Sequence, residues 1–233
     1  MINRQDIINN ISRIRKTVAR AADKSGRNAE DIRIMAVTKT LPFEVIEPAY
    51  EAGIRLFGEN RVQEAFEKYP PKQDRTYQLH MIGHLQRNKA NKSVDFFDLI
   101  QSVDSFRLAE HLNRYAQSRG KVYPVLLEIN VGAETNKSGF SLDDIPLLAD
   151  RFEQYSYIRT QGLMTVPPYF ADPEKTRPYF VKLRNVFEKL TRIDLFRATF
   201  KYLSMGMSND YHIAVSEGSN LIRIGTAIFG QRA

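Results

Sequence analysis

Lys39 closes the run Arg33-Ile-Met-Ala-Val-Thr-Lys39-Thr, where a short apolar stretch gives way to Leu41-Pro42. Such a run reads as a buried parallel strand ended by a turn. A lysine where a buried strand emerges is a candidate amine nucleophile, because desolvation lowers its pKa and exposes a lone pair. Taken alone, it reads more readily as an ordinary surface lysine. Two segments near the far end weigh against that: Ser204-Met-Gly206-Met207-Ser208 and Arg223-Ile-Gly225-Thr226. Their small residues would let backbone N–H groups approach an anion closely, as a phosphate-gripping turn requires. Each has a plainer reading too. Gly225-Thr226 could be a simple turn, Ser204–Ser208 core packing with a helix cap, and Arg223 a strand residue facing a carboxylate.

The elements that would position these residues follow from periodicity. Ile7, Ile8, Ile11, Ile14 and Val18 share one face of a helix over 3–24, with Asn3 as N-cap. After it, apolar runs alternate with helical stretches. The strands expected are 33–37, 55–57, 78–82, 99–103, 122–130, 159–164, 202–204 and 221–224. Pro42 suits a first helical turn, although Pro48 would kink or shorten that helix. Asp104 or Ser105 caps 106–119, which Gly120 closes. Ser141 opens 142–154, and Pro173 opens 174–190. Eight strands, nearly all followed by a helix, predict parallel pairing through right-handed crossovers. The fold expected is a single (β/α)8 TIM barrel over 1–233 with an extra N-terminal helix; a doubly wound open sheet is the alternative.

In a barrel, loops after strands share one rim, and closure sets strand eight beside strand one. Lys39, Glu59-Asn60, Gly83-His84, Ser204–Ser208 and Gly225-Thr226 would then line one mouth. A reactive amine beside a phosphate cradle is the donor set that pyridoxal 5′-phosphate (PLP) needs, a Schiff base for its aldehyde and an anchor for its phosphate. A barrel holding some other phosphate ester is the fallback. His80 and His84 have helical metal-pair spacing, but Gly83 and the strand before it argue against a helix, so no metal is expected.

The 233 residues contain no cysteine, which excludes disulfides, thiolate metal sites and cysteine nucleophiles. The net charge of +7 is spread among interleaved acids, as in Glu64-Ala-Phe-Glu67-Lys68, so it suits an anionic small ligand better than nucleic acid. No GxxxxGK[ST] or GxGxxG fingerprint occurs. The first residues lack an apolar signal-peptide core and no run is long enough for a bilayer, so a cytoplasmic protein without membrane partners is expected.

Val37-Thr-Lys39-Thr, Phe57-Gly-Glu-Asn60-Arg-Val-Gln-Glu64 and His80-Met-Ile-Gly-His84-Leu-Gln-Arg-Asn88-Lys89 occur in order. So do Asn136-Lys137-Ser138-Gly139-Phe140, Gly162-Leu-Met164, Leu203-Ser-Met-Gly-Met-Ser208 and Arg223-Ile-Gly-Thr-Ala-Ile-Phe-Gly230. The set resembles the pyridoxal phosphate homeostasis protein family. Thr38 stands where that family often has Ser, and Leu79 where an aromatic often precedes the His. The resemblance implies a fold-type III PLP barrel like the N-terminal domain of alanine racemase. PLP would form an aldimine on Lys39, with Arg223 facing the pyridine nitrogen. Ser204, Gly206, Met207, Ser208, Gly225 and Thr226 would surround the phosphate, and Asn60 and His84 would line the ring. It implies no catalytic residue. The role would be storage, buffering or delivery of PLP and other B6 vitamers to PLP-dependent apo-enzymes, by a monomer. A PLP-dependent amino-acid racemase or decarboxylase is the alternative. Such enzymes resemble a barrel plus a second β domain, and this chain is expected to lack one because it ends at Ala233, just past the eighth strand.

Overall fold

The structure, a computed structural model, describes residues 3–134, 137–192 and 199–231. Eight parallel strands close into a barrel: β1 (Arg33–Val37), β2 (Leu56–Glu59), β3 (Gln78–Met81), β4 (Leu99–Val103), β5 (Tyr123–Glu128), β6 (Ile158–Met164), β7 (Tyr202–Ser204) and β8 (Leu221–Ile224). Closure is made by β1 on β8, with Met35 opposite Arg223 and Ala36 opposite Ile224. The open-sheet alternative is thereby excluded.

Alternation along the strands separates two apolar regions. One face points into the barrel, where Met35, Leu56, Leu99, Leu126, Met164 and Leu221 pack as a plug. The other packs beneath the helices in a much larger core. Gly58 belongs to the inner face, since a Cβ there would lie 2.5 Å from the Met35 sulfur. Gly162, at φ 145°, lets β6 pass the β7 backbone, because a Cβ would sit 1.8 Å from Tyr202 O.

The N-terminal helix α1 (Arg4–Lys24) buries Ile7, Ile11, Ile14 and Val18, each worth roughly 1.5–3 kcal/mol of burial. It packs on α2 (Glu47–Glu51), α8 (Tyr211–Ser216) and α9 (Thr226–Phe229), and so covers the seam where the first and last units meet. The Asn3 side chain accepts a hydrogen bond from Asp6 N, as its N-cap role requires.

The ring also holds α3 (Val62–Lys68), α4 (Arg87–Phe96), α5 (Phe106–Ser118), α6 (Ile145–Glu153) and α7 (Arg177–Thr191). Ser105 caps α5, and Ser141 forms a capping box with Asp144 before α6. The expected helix after β1 is divided. Pro42 precedes a 3-10 turn, Phe43–Val45, and α2 starts only at Glu47 with Pro48 in its first turn, where no N–H is missed. Pro173 opens the 3-10 turn that leads into α7, as expected, with Asp172 as its N-cap. Among the described residues, no helix is long and apolar enough to cross a membrane.

Candidate functional site

Lys39 is half-buried at the exit of β1, between wholly buried Thr38 and Thr40, whose φ is 61°. A left-handed threonine costs roughly 1–3 kcal/mol and persists only where neighbours hold it. The holders come from α3. The Thr40 N–H donates to Glu64 Oε1, and Lys68 Nζ donates to Thr38 O at 2.8 Å. Lys68 also reaches Glu59 Oε1 at 2.7 Å and Glu64 Oε1 at 3.2 Å. Thr38 Oγ1 donates to Glu59 Oε1 at 2.7 Å and lies 2.6 Å from Tyr69 OH. Glu59 has no exposed surface, so burial pushes its carboxyl above the usual range, with Lys68 and Thr38 pulling back. Burial likewise raises the Tyr69 phenol. Beneath Lys39, therefore, lies a buried network of charges.

The opposite wall is built by β7 and β8. Arg223 is 4% exposed and points into the barrel. Its Nη1 donates to Ser204 Oγ at 2.7 Å and its Nη2 to Thr165 O at 2.7 Å. Burial lowers its pKa to about 10, opposed by Asp210 and Glu128, so it stays cationic at neutral pH. The Ser204 hydroxyl donates to Gln101 Oε1 at 2.7 Å, and Gln101 Nε2 lies 3.0 Å from His80 Nδ1. Buried His80 has its pKa lowered to about 3 by desolvation, so its ring is neutral and belongs to this polar floor. Ser204 thus orients Arg223 from inside the barrel, below the turn in which the resemblance sets it.

Above that floor the two turns touch. Ser208 Oγ accepts the Ala227 N–H at 3.1 Å, tying the β7 turn to the start of α9. Gly225 occupies the N-cap position of α9 and Thr226 its first, where helix N–H groups have no intrahelical partner. Met207 N donates to Asp210 Oδ1 at 2.7 Å, which shapes the turn between them. Gly206 has φ 93°, and a Cβ there would stand 2.5 Å from the Ala214 Cβ; its smallness serves the approach of α8.

The remaining rim carries Asn60 and His84. Asn60 Oδ1 is buried and accepts no hydrogen bond among the described residues. Gly83 abuts Asn60 so closely that a Cβ would lie 2.3 Å from its carbonyl oxygen. His84 is exposed, with Nδ1 2.9 Å from Asp104 Oδ2 and 3.3 Å from Ser138 Oγ. A cavity of about 590 Å³ opens beside both, walled also by Arg61, Glu64, Glu67 and Lys89. Asn136 lies outside the described residues.

Sequence reasoning missed Glu128, at the end of β5. Burial and the neighbouring Asp104 raise its carboxyl to about 7, against the pull of Arg223 and His84. A carboxylate ending a buried strand was the available signal. Also missed were Thr165 and Asp210, which act on Arg223 directly, and Gln101, which accepts the hydroxyl of the Ser204 that Arg223 reaches. Among the described residues, no group of three or more His, Asp or Glu could hold a metal ion.

Comparison with known proteins agrees with the barrel fold. A family described as "Alanine racemase, N-terminal domain" matches residues 2–233. A pyridoxal phosphate homeostasis protein of Aquifex aeolicus is 37% identical over 222 residues, covering 95% of this chain and 96% of that protein. A protein of unknown function from Bifidobacterium adolescentis superposes with a TM-score of 0.90 at 34% identity, covering 98% of each chain. PipY of Synechococcus elongatus PCC7942, solved with PLP bound, superposes with a TM-score of 0.78 at 34% identity, covering 92% of this chain and all of that one (100%).

Proposed function

The chain belongs to the pyridoxal phosphate homeostasis protein family, and from that premise we propose that it binds PLP at the mouth of its barrel and stores, buffers or delivers it without substantial catalysis. The observation that carries this reading is the pairing of β1 with β8, which gives Lys39 and the turns beside Arg223 a common rim. The residues fit the group. They offer a lysine for an aldehyde, a buried guanidinium, a hydroxyl and helix-start N–H groups for a phosphate, and an unpartnered acceptor in Asn60 Oδ1. When bound, PLP supplies an aldehyde that links to amines and a ring that draws electrons.

In this proposal Lys39 carries the cofactor covalently. Ser208, Gly206, Met207, Gly225 and Thr226 hold the phosphate, Asn60 and His84 border the ring, and Ser204 positions Arg223. Arg223 donates hydrogen bonds but cannot hand over a proton near neutrality. It would therefore leave a ring nitrogen placed opposite it unprotonated, which disfavours aminotransferase-type chemistry and suits either a two-base racemase or a carrier. PLP-dependent apo-enzymes are the recipients proposed, served by a cytoplasmic monomer whose single domain is this barrel.

The test combines linkage with transfer. Borohydride treatment of the PLP-loaded protein should fix the cofactor to the peptide containing Lys39, and Lys39→Ala should abolish the visible band. Loaded protein should restore an apo-enzyme's activity while its own racemisation, decarboxylation and transamination of amino acids stay far below about 10 per second. Rapid turnover lost in Lys39→Ala, without transfer, would establish the racemase or decarboxylase alternative instead.

A further inference from the structure

We infer that Glu64 and Lys68, both on α3, are positioning residues for Lys39 that pin the peptide groups on either side of it. Thr38 O belongs to the peptide entering Lys39, and Lys68 Nζ holds it at 2.8 Å. The Thr40 N–H belongs to the peptide leaving Lys39, and Glu64 Oε1 accepts it. With both planes held, the Cα–Cβ direction of Lys39 is set, and only its side-chain torsions remain.

The clamp is itself anchored. The Lys68 side chain is 7% exposed and is shared between Glu59 and Glu64, one turn earlier on the same helix. Thr38 is tied from its other side, since its N–H reaches Gly58 O at 3.1 Å and its hydroxyl reaches Glu59. The left-handed Thr40 supplies a second, independent sign. Its φ of 61° is a conformation that a β-branched residue avoids, and its N–H is held by Glu64. Charged groups reaching from α3 to the two peptides that flank Lys39 mark the clamp as serving it.

The inference rests on the reading that Lys39 carries PLP, and the experiment separates the two. Apo-protein is mixed with PLP, and growth of the visible band is timed for wild type, Glu64→Ala and Glu64→Gln. Affinity for pyridoxine 5′-phosphate, which has an alcohol in place of the aldehyde and cannot link, is measured in parallel. Glu64→Ala leaves the Lys68–Glu59 pair in place and should fold. It should link on the order of ten- to a hundredfold more slowly. Its affinity for pyridoxine 5′-phosphate should stay within about twofold of wild type. Glu64→Gln, which keeps an acceptor for Thr40, should recover most of the rate. Linking of Glu64→Ala at the wild-type rate would overturn the inference. An equal fall in rate and in pyridoxine 5′-phosphate affinity would overturn it too, by showing a merely structural role. Failure of the reading of Lys39 shows in wild type alone, as borohydride labelling of another lysine or of none, and takes the inference with it.

Discussion

Around Lys39 the barrel mouth is held by long charged side chains from α3, whereas the turns after β7 and β8 are held by close backbone approach, small residues and one short carboxylate, Asp210. On the first side, buried Lys68 and Glu59 share hydrogen bonds with partly exposed Glu64. On the second, Gly206 admits α8 closely and Ser208 bridges to Ala227. A wall built from charge should respond to pH and tolerate changes of volume poorly only where a partner is lost. A wall built mainly from close backbone approach should respond less to pH and tolerate no added atoms.

The largest effect expected is on the charged wall. Lys68→Met strands Glu59 in the interior, and breaking such a pair costs about 3–5 kcal/mol at neutral pH. Urea unfolding of the apo-protein measures it. Burial already raises the Glu59 pKa, so its protonated form is the better tolerated one and stability tied to it falls as pH rises. The loss in Lys68→Met should accordingly shrink on acidification, and adding Glu59→Leu should recover most of it. A single variant as stable as wild type would break the contrast.

Gly206→Ala probes the other wall. The new Cβ meets Ala214 at 2.5 Å on a backbone at φ 93°. Overpacking and the left-handed conformation together should cost about 2–4 kcal/mol, equally at pH 5 and pH 8. A pH-dependent loss would show that the two walls differ less than their construction suggests.

If Ser208 holds the phosphate as proposed, Ser208→Ala should touch ligand more than fold. Loss of a hydroxyl donor to a charged phosphate costs roughly 1.5–3 kcal/mol, a ten- to hundredfold weaker grip on PLP. Equilibrium dialysis against PLP and pyridoxal measures it, and the variant should lose its preference for the phosphorylated form. An unchanged preference would move the phosphate site away from this turn.

The smallest effect concerns Glu128, which stands between the walls and feels both Asp104 and Arg223. Its carboxyl lies near 7 in the folded chain against an ordinary value of 4.5. A raised folded pKa means that stability is fully present at low pH and lost as pH climbs through that interval. Glu128→Gln should flatten this slope between pH 5 and pH 8. Parallel urea curves for the two proteins would refute the assignment.

Much of the scaffold was legible beforehand because short apolar runs and caps are local signals. The strands expected at 33–37, 99–103, 202–204 and 221–224 match β1, β4, β7 and β8, and the others lie within two residues of their expected ends. The helix after β1 was misjudged because two prolines six residues apart suit more than one start, and packing chose the later. The chain Arg223–Ser204–Gln101–His80 was not legible. Its members come from four strands, and only the closed register brings them to one level of the interior.

What the sequence determined by itself was the list of parts: eight strand-helix units, a lysine at the first strand end, and small residues at the last two turns. Those follow from hydrophobic period and turn chemistry, which act over a few residues. The tertiary structure decided how the parts face one another. It turned Ser204 inward to Arg223, set Lys68 and Glu64 against the peptides of Lys39, and left Asn60 Oδ1 buried without a partner among the described residues. Buried polar groups must find donors or acceptors across the whole fold, and which ones they find depends on barrel register, a property that no local stretch of chain contains.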